Sequence, residues 1–164
     1  MGRMYCVLCG LVVMAMAVGI GGEAKAESIR SGGMFGIGLG GGTGTSGLSM
    51  KYWMSSSHAL QGVIGIWGLG RGEGTVLALS GDYLFELPSL TKGSIIDLGW
   101  NIGLGPFLGI GDATWIGVSG VLGLEFNFVP VPIDITIEYR PGLLVLPDVN
   151  ADLIAFTGHI RYFF

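Results

Sequence analysis

Ionisable residues recur at alternate positions of otherwise apolar segments, and these side chains are the ones that could do chemistry. They are Lys51, Asp82, Glu86, Asp97, Glu125, Asp134, Glu138, Arg140, His159 and Arg161. Three carboxyl groups, those of Glu125, Asp134 and Glu138, fall on one face of two successive segments, which suits general acid–base catalysis. The alternative is an ionic network in which basic residues on the same face neutralise the acids. We favour the network, composed of Lys51, Asp82, Glu125, Asp134, Glu138, Arg140 and Arg161.

Arg161 has a specific predicted role in this network. A turn at Val129-Pro130 would fold the segment that carries Glu125 back on the segment that carries Asp134. Two carboxylates in a confined space repel each other unless a cation intervenes. The five N–H donors of an arginine can engage two acids at once. The sequence therefore predicts contacts from Arg161 to both Glu125 and Asp134.

Other motifs argue against catalysis, metal binding and cofactor binding. His58 and His159 are the only histidines, and two isolated imidazoles make a poor metal site. The stretch 36–41 fits G-x-G-x-x-G, but polar turn residues follow it where a dinucleotide site needs a helix. Both cysteines, Cys6 and Cys9, lie in an apolar leader. We predict no catalytic residue, no metal and no cofactor.

Eight segments that alternate between apolar and polar residues must position the charged side chains. Their approximate spans are 34–41, 47–55, 59–68, 75–86, 95–105, 115–127, 132–140 and 152–164. Alternation is typical of β-strands, and lengths near about ten residues suit tilted strands that cross a membrane. Asp152, at the start of the last segment, is the one charged residue on an apolar face. The predicted fold is all-β, an eight-stranded antiparallel up-and-down transmembrane β-barrel.

Turn residues separate these segments. The longest such stretches are 68–74, 88–94, 105–114 and 141–150. Within the last of them, Leu143 to Leu146 is apolar and would be either an extension of the seventh strand or a patch for a partner or lipid. We favour the extension.

One face of every predicted strand is apolar, whereas the other holds the charges among small residues. A soluble barrel would turn the apolar face inward. The polar face is too sparsely charged for a soluble exterior, since only 12% of the chain is charged. Eight strands also enclose too little room for so many large apolar side chains. The apolar face is therefore predicted to contact lipid, with Gly36 and Gly38 among the lumen positions that packing keeps small.

The N-terminal segment predicts export. Arg3 precedes the apolar stretch Met4–Ile20, and Ala24-Lys25-Ala26 forms a small-residue cleavage site. An uncleaved membrane anchor is the alternative, but the cleavage site favours a signal peptide at 1–26 and one barrel domain at 27–164. The net charge of −4, without a basic cluster, argues against nucleic acid as a partner.

Outward aromatic residues recur where the even-numbered strands end. They are Tyr52, Tyr83, Phe85, Phe126, Tyr162 and Phe164. Because the ends of alternate strands meet at one membrane interface, these rings are predicted to form one girdle. Both termini lie on that side, which we predict to be periplasmic. Residues 42–46, 69–74, 106–114 and 141–151 then form the outer loops.

The chain from residue 27 to 164 resembles small eight-stranded bacterial outer-membrane barrels of the OmpA, OmpX and OmpW type. The resemblance rests on the alternating strands, Lys51-Tyr52-Trp53, Asp82-Tyr83-Leu84-Phe85, the stretch 132–141 and the closing Arg161-Tyr162-Phe163-Phe164. In that superfamily the assembly machinery reads a terminal aromatic strand. The resemblance therefore implies a Gram-negative outer-membrane location, with outer-membrane lipid and the barrel-assembly machinery as partners.

The function that follows is an integral barrel of structural or envelope-maintenance type, not an enzyme, whose lumen is plugged by the charged network. The alternative is a narrow, porin-like channel or transporter for small or hydrophobic solutes, as the OmpW resemblance implies. A lipid-modifying barrel enzyme is a third possibility. A lumen filled by charges favours the first function, and a continuous apolar groove that opens sideways favours the second.

Overall fold

The computed structural model describes residue 30 and residues 33–67, 76–111 and 114–164, and its regular structure is entirely β. The strands are β1 Phe35–Gly42, β2 Ser46–Ser55, β3 His58–Trp67, β4 Val76–Lys92, β5 Ile96–Ile110, β6 Thr114–Phe128, β7 Ile133–Tyr139, β8 Gly142–Leu146, β9 Asn150–Asp152 and β10 Phe156–Phe163. Within these ranges no helix has the length and apolar character needed to cross a membrane. The predicted signal peptide at 1–26, which includes both cysteines, lies outside the described residues.

Eight of these strands close into an antiparallel barrel. Consecutive strands pair from β1 to β7, and β10 pairs with both β7 and β1. The closing ladder runs from Gly36 opposite Phe163 to Gly42 opposite Thr157. Closure leaves no free edge in this ring, so each of its strands pairs with a neighbour on both sides. The predicted eight-stranded antiparallel barrel is confirmed.

The chain continues β7 beyond the barrel ring. After a break at Arg140-Pro141, β8 pairs with β6 in line with β7, and β9 folds back on β8 as a hairpin. The stretch Leu143–Leu146 is therefore an extension of the seventh strand, as favoured. The predicted eighth strand at 152–164 was too long, because β10 begins at Phe156 and Asp152 belongs to the exposed hairpin.

The prolines marked turns less reliably than expected. Strand β4 continues through the predicted turn at 88–94, with an irregularity between Leu87 and Thr91 that accommodates Pro88. Strand β5 continues through the start of the predicted loop at 105–114. Pro106 pairs there with Val118 of β6 and interrupts the ladder to β4, where it has no N–H to donate.

The two faces of the barrel wall have opposite polarity. Outward side chains such as Leu104 and Ile137 are 64% and 53% exposed, whereas the lumen holds charged side chains that are no more than 9% exposed. Apolar residues also fill part of the lumen, namely Trp53, Ala59, Leu84, Val121 and Phe163.

The barrel has two distinguishable ends. At the terminal end lie both chain ends of the barrel and the turns 56–57, 93–95 and 129–132; at the far end lie residues 43–45 and the β8–β9 hairpin. Five of the six predicted girdle residues, Tyr52, Phe85, Phe126, Tyr162 and Phe164, lie in or directly after the strand halves next to the terminal end. Tyr83 lies just before the midpoint of β4, opposite Leu60 near the start of β3. Tyr83 packs edge-on against Phe85, and Tyr162 contacts Phe164.

His58 belongs to this aromatic cluster. It is the first residue of β3, one residue before the predicted strand at 59–68, and its Nδ1 lies 2.9 Å from the Tyr83 hydroxyl. Its ring also packs edge-on against Phe85.

Candidate functional site in the barrel lumen

All seven residues of the predicted network face the lumen and are 0–9% exposed. They are Lys51, Asp82, Glu125, Asp134, Glu138, Arg140 and Arg161. They occupy three groups, which we name after their cations. The Arg140 group contains Asp82, Glu138, Arg140 and His159; the Arg161 group contains Gln61, Asp134, Thr136 and Arg161; the Lys51 group contains Arg30, Lys51, Glu86 and Glu125.

The Arg140 group lies where β7 gives way to β8. The Arg140 backbone N–H donates to the Ala155 carbonyl, 2.8 Å away, which fixes the side chain at the break. Its Nη2 donates to both carboxylate oxygens of Asp82 at 2.7 and 2.8 Å, and its Nη1 donates to Glu138 at 2.8 Å. Paired, hydrogen-bonded charges can remain buried. Arg140 therefore holds β4 and β7 together across the lumen.

A serine, a histidine and a glutamate are linked by successive hydrogen bonds within this group. Ser49 Oγ is 3.0 Å from His159 Nδ1, and His159 Nε2 is 3.2 Å from Glu138 Oε2. Hydrolases activate a serine with such a set. Here, however, Ser49 is fully buried, and it is not among the residues that line the far-end cavity described below. In this arrangement the two hydrogen bonds orient His159.

The sequence did not single out Ser49 as a partner of His159, because serines are common on the lumen face. A glycine opposite His159 could have indicated that the His159 imidazole needs space on the lumen face. Gly40 lies opposite His159 in the β1–β10 ladder, and a β-carbon there would collide with the imidazole. Gly36 is constrained in the same way, since its β-carbon would lie 2.6 Å from the Phe163 ring. Gly38, the other predicted glycine, faces the β10 backbone too closely for a β-carbon.

The Arg161 group differs from its prediction. Arg161 Nε and Nη2 donate to Asp134 at 3.0 and 2.7 Å, and Nη2 also donates to Thr136. Arg161 makes no hydrogen bond or ion pair with Glu125, so the predicted double engagement is wrong. Along the β6–β7 ladder Asp134 lies opposite Asn127 and Glu125 opposite Thr136, which separates the two acids by one inward position. Gln61 connects Arg161 to the Arg140 group by donating to Glu138 at 2.8 Å.

The Lys51 group provides the cations that Glu125 needs. Lys51 Nζ contacts Glu125 and lies 2.6 Å from Glu86, and Asn101 donates to Glu125 at 2.7 Å. Arg30 Nη2 lies 3.3 Å from Glu86 and 3.2 Å from Glu125. Two cations thus face two carboxylates inside the lumen. This balance explains how four charged groups are buried together.

Arg30 and Trp53 close the terminal end. Lys51 Nζ lies 4.3 Å from the Trp53 ring centroid, and the Arg30 guanidinium carbon lies 5.4 Å from it, both within cation–π range. Arg30 also donates to the Leu87 carbonyl at 2.9 Å. Because Arg30 precedes the first alternating segment, no periodic pattern indicated its role. The Gly33 N–H donates to the Trp53 carbonyl and ties this segment to β2.

The far end differs, because the lumen there widens into a cavity of about 150 Å³. Apolar groups form much of its wall, and Ser80, Ser119, Arg140, Thr157 and His159 contribute polar groups. Two of its aromatic residues, Phe107 and Trp115, had been missed. Phe107 lies in β5, two residues beyond the end of the predicted strand at 95–105. Trp115 lies in β6, at the first residue of the predicted strand at 115–127. We refer to this space as the far-end cavity.

The described ranges contain no cluster of three or more histidine, cysteine, aspartate or glutamate side chains that could hold a metal ion. Strand β1, with its G-x-G-x-x-G stretch, leads through residues 43–45 into β2. No protein-family model, curated protein or solved structure matches this chain.

Proposed function

We propose that the chain is an integral outer-membrane β-barrel of structural or envelope-maintenance type, without catalysis, whose lumen is sealed by paired charges. The observation that carries this proposal is the inverted polarity of the wall. Lys51, Glu125 and Glu138 are fully buried inside, while large apolar residues cover the outside. A closed barrel with an apolar exterior suits a lipid environment, because each of its strands pairs on both sides and no strand edge is free.

The proposed orientation places the terminal end in the periplasm. The aromatic girdle and His58 would then meet the inner interface, and the far-end cavity would face the outside. Outer-membrane lipid is the proposed solvent for the apolar belt. The barrel-assembly machinery is the proposed partner during insertion, because the closing strand β10 ends in the girdle.

Planar-bilayer recording tests whether the lumen is sealed. We expect the refolded wild-type barrel to show no steady conductance, because Trp53, Lys51 and Arg30 close the terminal end. Trp53→Ala removes the ring that both cations contact and should increase conductance. Tyr52→Ala is the matched control, since Tyr52 is the outward neighbour on β2. Steady ohmic conductance of the wild type would reject the sealed lumen.

A narrow transporter is the second candidate, and the far-end cavity is the observation that favours it. The cavity would be the entry site for a small or hydrophobic solute. Below Arg140 and His159, however, buried side chains of the Arg161 and Lys51 groups occupy the lumen. Transport would therefore require these groups to separate. Steady conductance, or uptake of solute into liposomes that contain the barrel, would favour this candidate.

Phe164 is expected to contribute to insertion more than to any activity. Its backbone exchanges hydrogen bonds with Phe35 at 3.0 and 3.2 Å, while its 63% exposed ring lies in the girdle. Deleting Phe164 should lower the heat-modifiable, folded fraction recovered from outer membranes. Phe156→Ala, which removes an outward ring at the other end of β10, is the control and should change this fraction less.

Refolding in vitro separates recognition from stability. If Phe164 is a signal for the assembly machinery, the deleted protein should refold in detergent nearly as well as the wild type. Unchanged folded yield in cells would contradict the proposed role. An equal defect in cells and in detergent would assign the residue to stability alone.

A further inference from the structure

The far-end cavity has aromatic and aliphatic walls above a polar floor. Phe107 of β5 and Trp115 of β6 contribute rings, and Leu144 of β8 and Val63 of β3 contribute aliphatic groups. Four strands thus supply the walls, so the cavity is built by the barrel and not by one loop. Such concave sites, apolar with a few convergent polar groups, are typical of small-molecule binding.

The volume limits the size of an occupant. At about 150 Å³ the cavity matches, to order of magnitude, engineered apolar cavities that accept benzene. A single aromatic ring therefore fits, whereas a lipid acyl chain or a sugar chain would not be enclosed.

The floor determines the charge of an occupant. Arg140 is the cation there, but it is already bonded to Asp82, Glu138 and, at 3.2 Å, the Ser119 hydroxyl. An incoming carboxylate would have to displace one of these buried acids and would leave it unpaired, which is costly. Asp152 at the rim adds further negative charge. Anions are therefore disfavoured.

The floor also provides uncharged polar groups. Ser80 lies opposite Phe107 in the β4–β5 ladder. On the other side of β5, Phe107 pairs with Gly117 of β6, and Ser119 is the next inward residue of β6 after Gly117. Both serines line the cavity. Since the Ser119 oxygen accepts from Arg140, its own O–H remains a donor. A ring against Phe107 and Trp115 can thus direct a hydroxyl group toward two serines.

We propose that the far-end cavity binds a small uncharged solute with one aromatic ring and a hydroxyl group. This binding goes beyond a structural role and does not depend on where the barrel resides. Its failure would leave membrane insertion, which is measured separately, unaffected.

Fluorine NMR on the folded full-length mature chain in detergent micelles tests the proposal with two probes, 4-fluorophenol and 4-fluorobenzoate. We expect saturable binding of 4-fluorophenol. Binding of 4-fluorobenzoate should be weaker by roughly tenfold or more, or about 1.4 kcal/mol. Tighter binding of the benzoate would overturn the assignment to uncharged solutes, and no saturable phenol binding would overturn the site.

A matched pair of variants on β8 separates the cavity from the micelle. Leu144→Trp fills the cavity, whereas Leu143→Trp adds the same side chain to the 43% exposed outward neighbour. Leu144→Trp should weaken 4-fluorophenol binding by roughly tenfold or more, and Leu143→Trp should leave it unchanged. Equal binding by both variants would assign the signal to detergent and reject the site. Ala155→Phe is a second filling variant if Leu144→Trp fails to give heat-modifiable, folded protein.

Discussion

Replacing Arg161 with alanine is expected to destabilise the folded barrel by about 3–5 kcal/mol, the usual cost of removing one partner from a buried ion pair. Arg161 is 1% exposed and Asp134 is fully buried. The substitution also removes the donors that bond Gln61 and Thr136. Urea titration of the barrel refolded into liposomes measures the loss in the free energy of unfolding.

The cause of this loss can be isolated with a double variant. Replacing Arg161 with methionine and Asp134 with asparagine removes both charges and keeps much of the volume. The double variant should be more stable than Arg161→Ala, because no unpaired charge remains buried. Arg161→Lys is the conservative control, which retains the charge but loses the bidentate fork. Wild-type stability in Arg161→Ala would reject the network and favour a hydrated, open lumen.

The corrected role of Arg161 shows where sequence reasoning reaches its limit in the lumen. Alternation along β6 and β7 placed Glu125 and Asp134 inward, and the structure has both there. Which cation meets which acid depends on the register between strands and on groups from distant strands. Lys51 reaches Glu125 from β2, and Arg30 reaches it from outside the strands. The spacing of residues along one strand does not indicate either of these two contacts.

The strands could be predicted from the sequence more accurately than the ion pairs, and the errors in the strand bounds have local causes. The predicted strand at 115–127 matches β6 within one residue at each end, since its alternation is uninterrupted. The errors occur at Pro88 and Pro106, where a barrel strand accommodates proline by an irregular pairing on one side. They occur again near Asp152, where an extra hairpin follows the last turn. At Pro88 and Pro106, proline therefore indicated a weak ladder position and not the end of a strand.

The ionic network gives the barrel a form of specificity that its apolar face lacks. Outward leucines and isoleucines are interchangeable in a lipid environment, so they do not define which strands are neighbours. Arg140 joins β4 to β7, and Arg161 joins β10 to β7 and, through Gln61, to β3. A shift of register would leave these charges unpaired in a confined lumen. We infer that the network selects one closure of the barrel.

Arginine in place of Leu122 is expected to destabilise the barrel in liposomes by about 2–4 kcal/mol if the site lies near the membrane midplane. Leu122 is 48% exposed on the outside of β6, where it pairs with Ile102 of β5 and Tyr139 of β7. A guanidinium group there would have to enter the apolar belt. Ile135→Arg on β7 should cost a similar amount, because Ile135 lies on the same outward face.

A position outside the proposed belt provides the control for this substitution. Val149 is 76% exposed beside the β8–β9 hairpin, where an added charge would meet water. Val149→Arg should therefore leave the free energy of unfolding in liposomes nearly unchanged. If Leu122→Arg were equally harmless, or if the wild type stayed folded and monomeric in plain buffer, the outward face could not be a lipid surface. If Leu122→Arg were harmless in a barrel that still aggregates without detergent, the apolar exterior would require a protein partner, because water alone would not solvate a surface of this size.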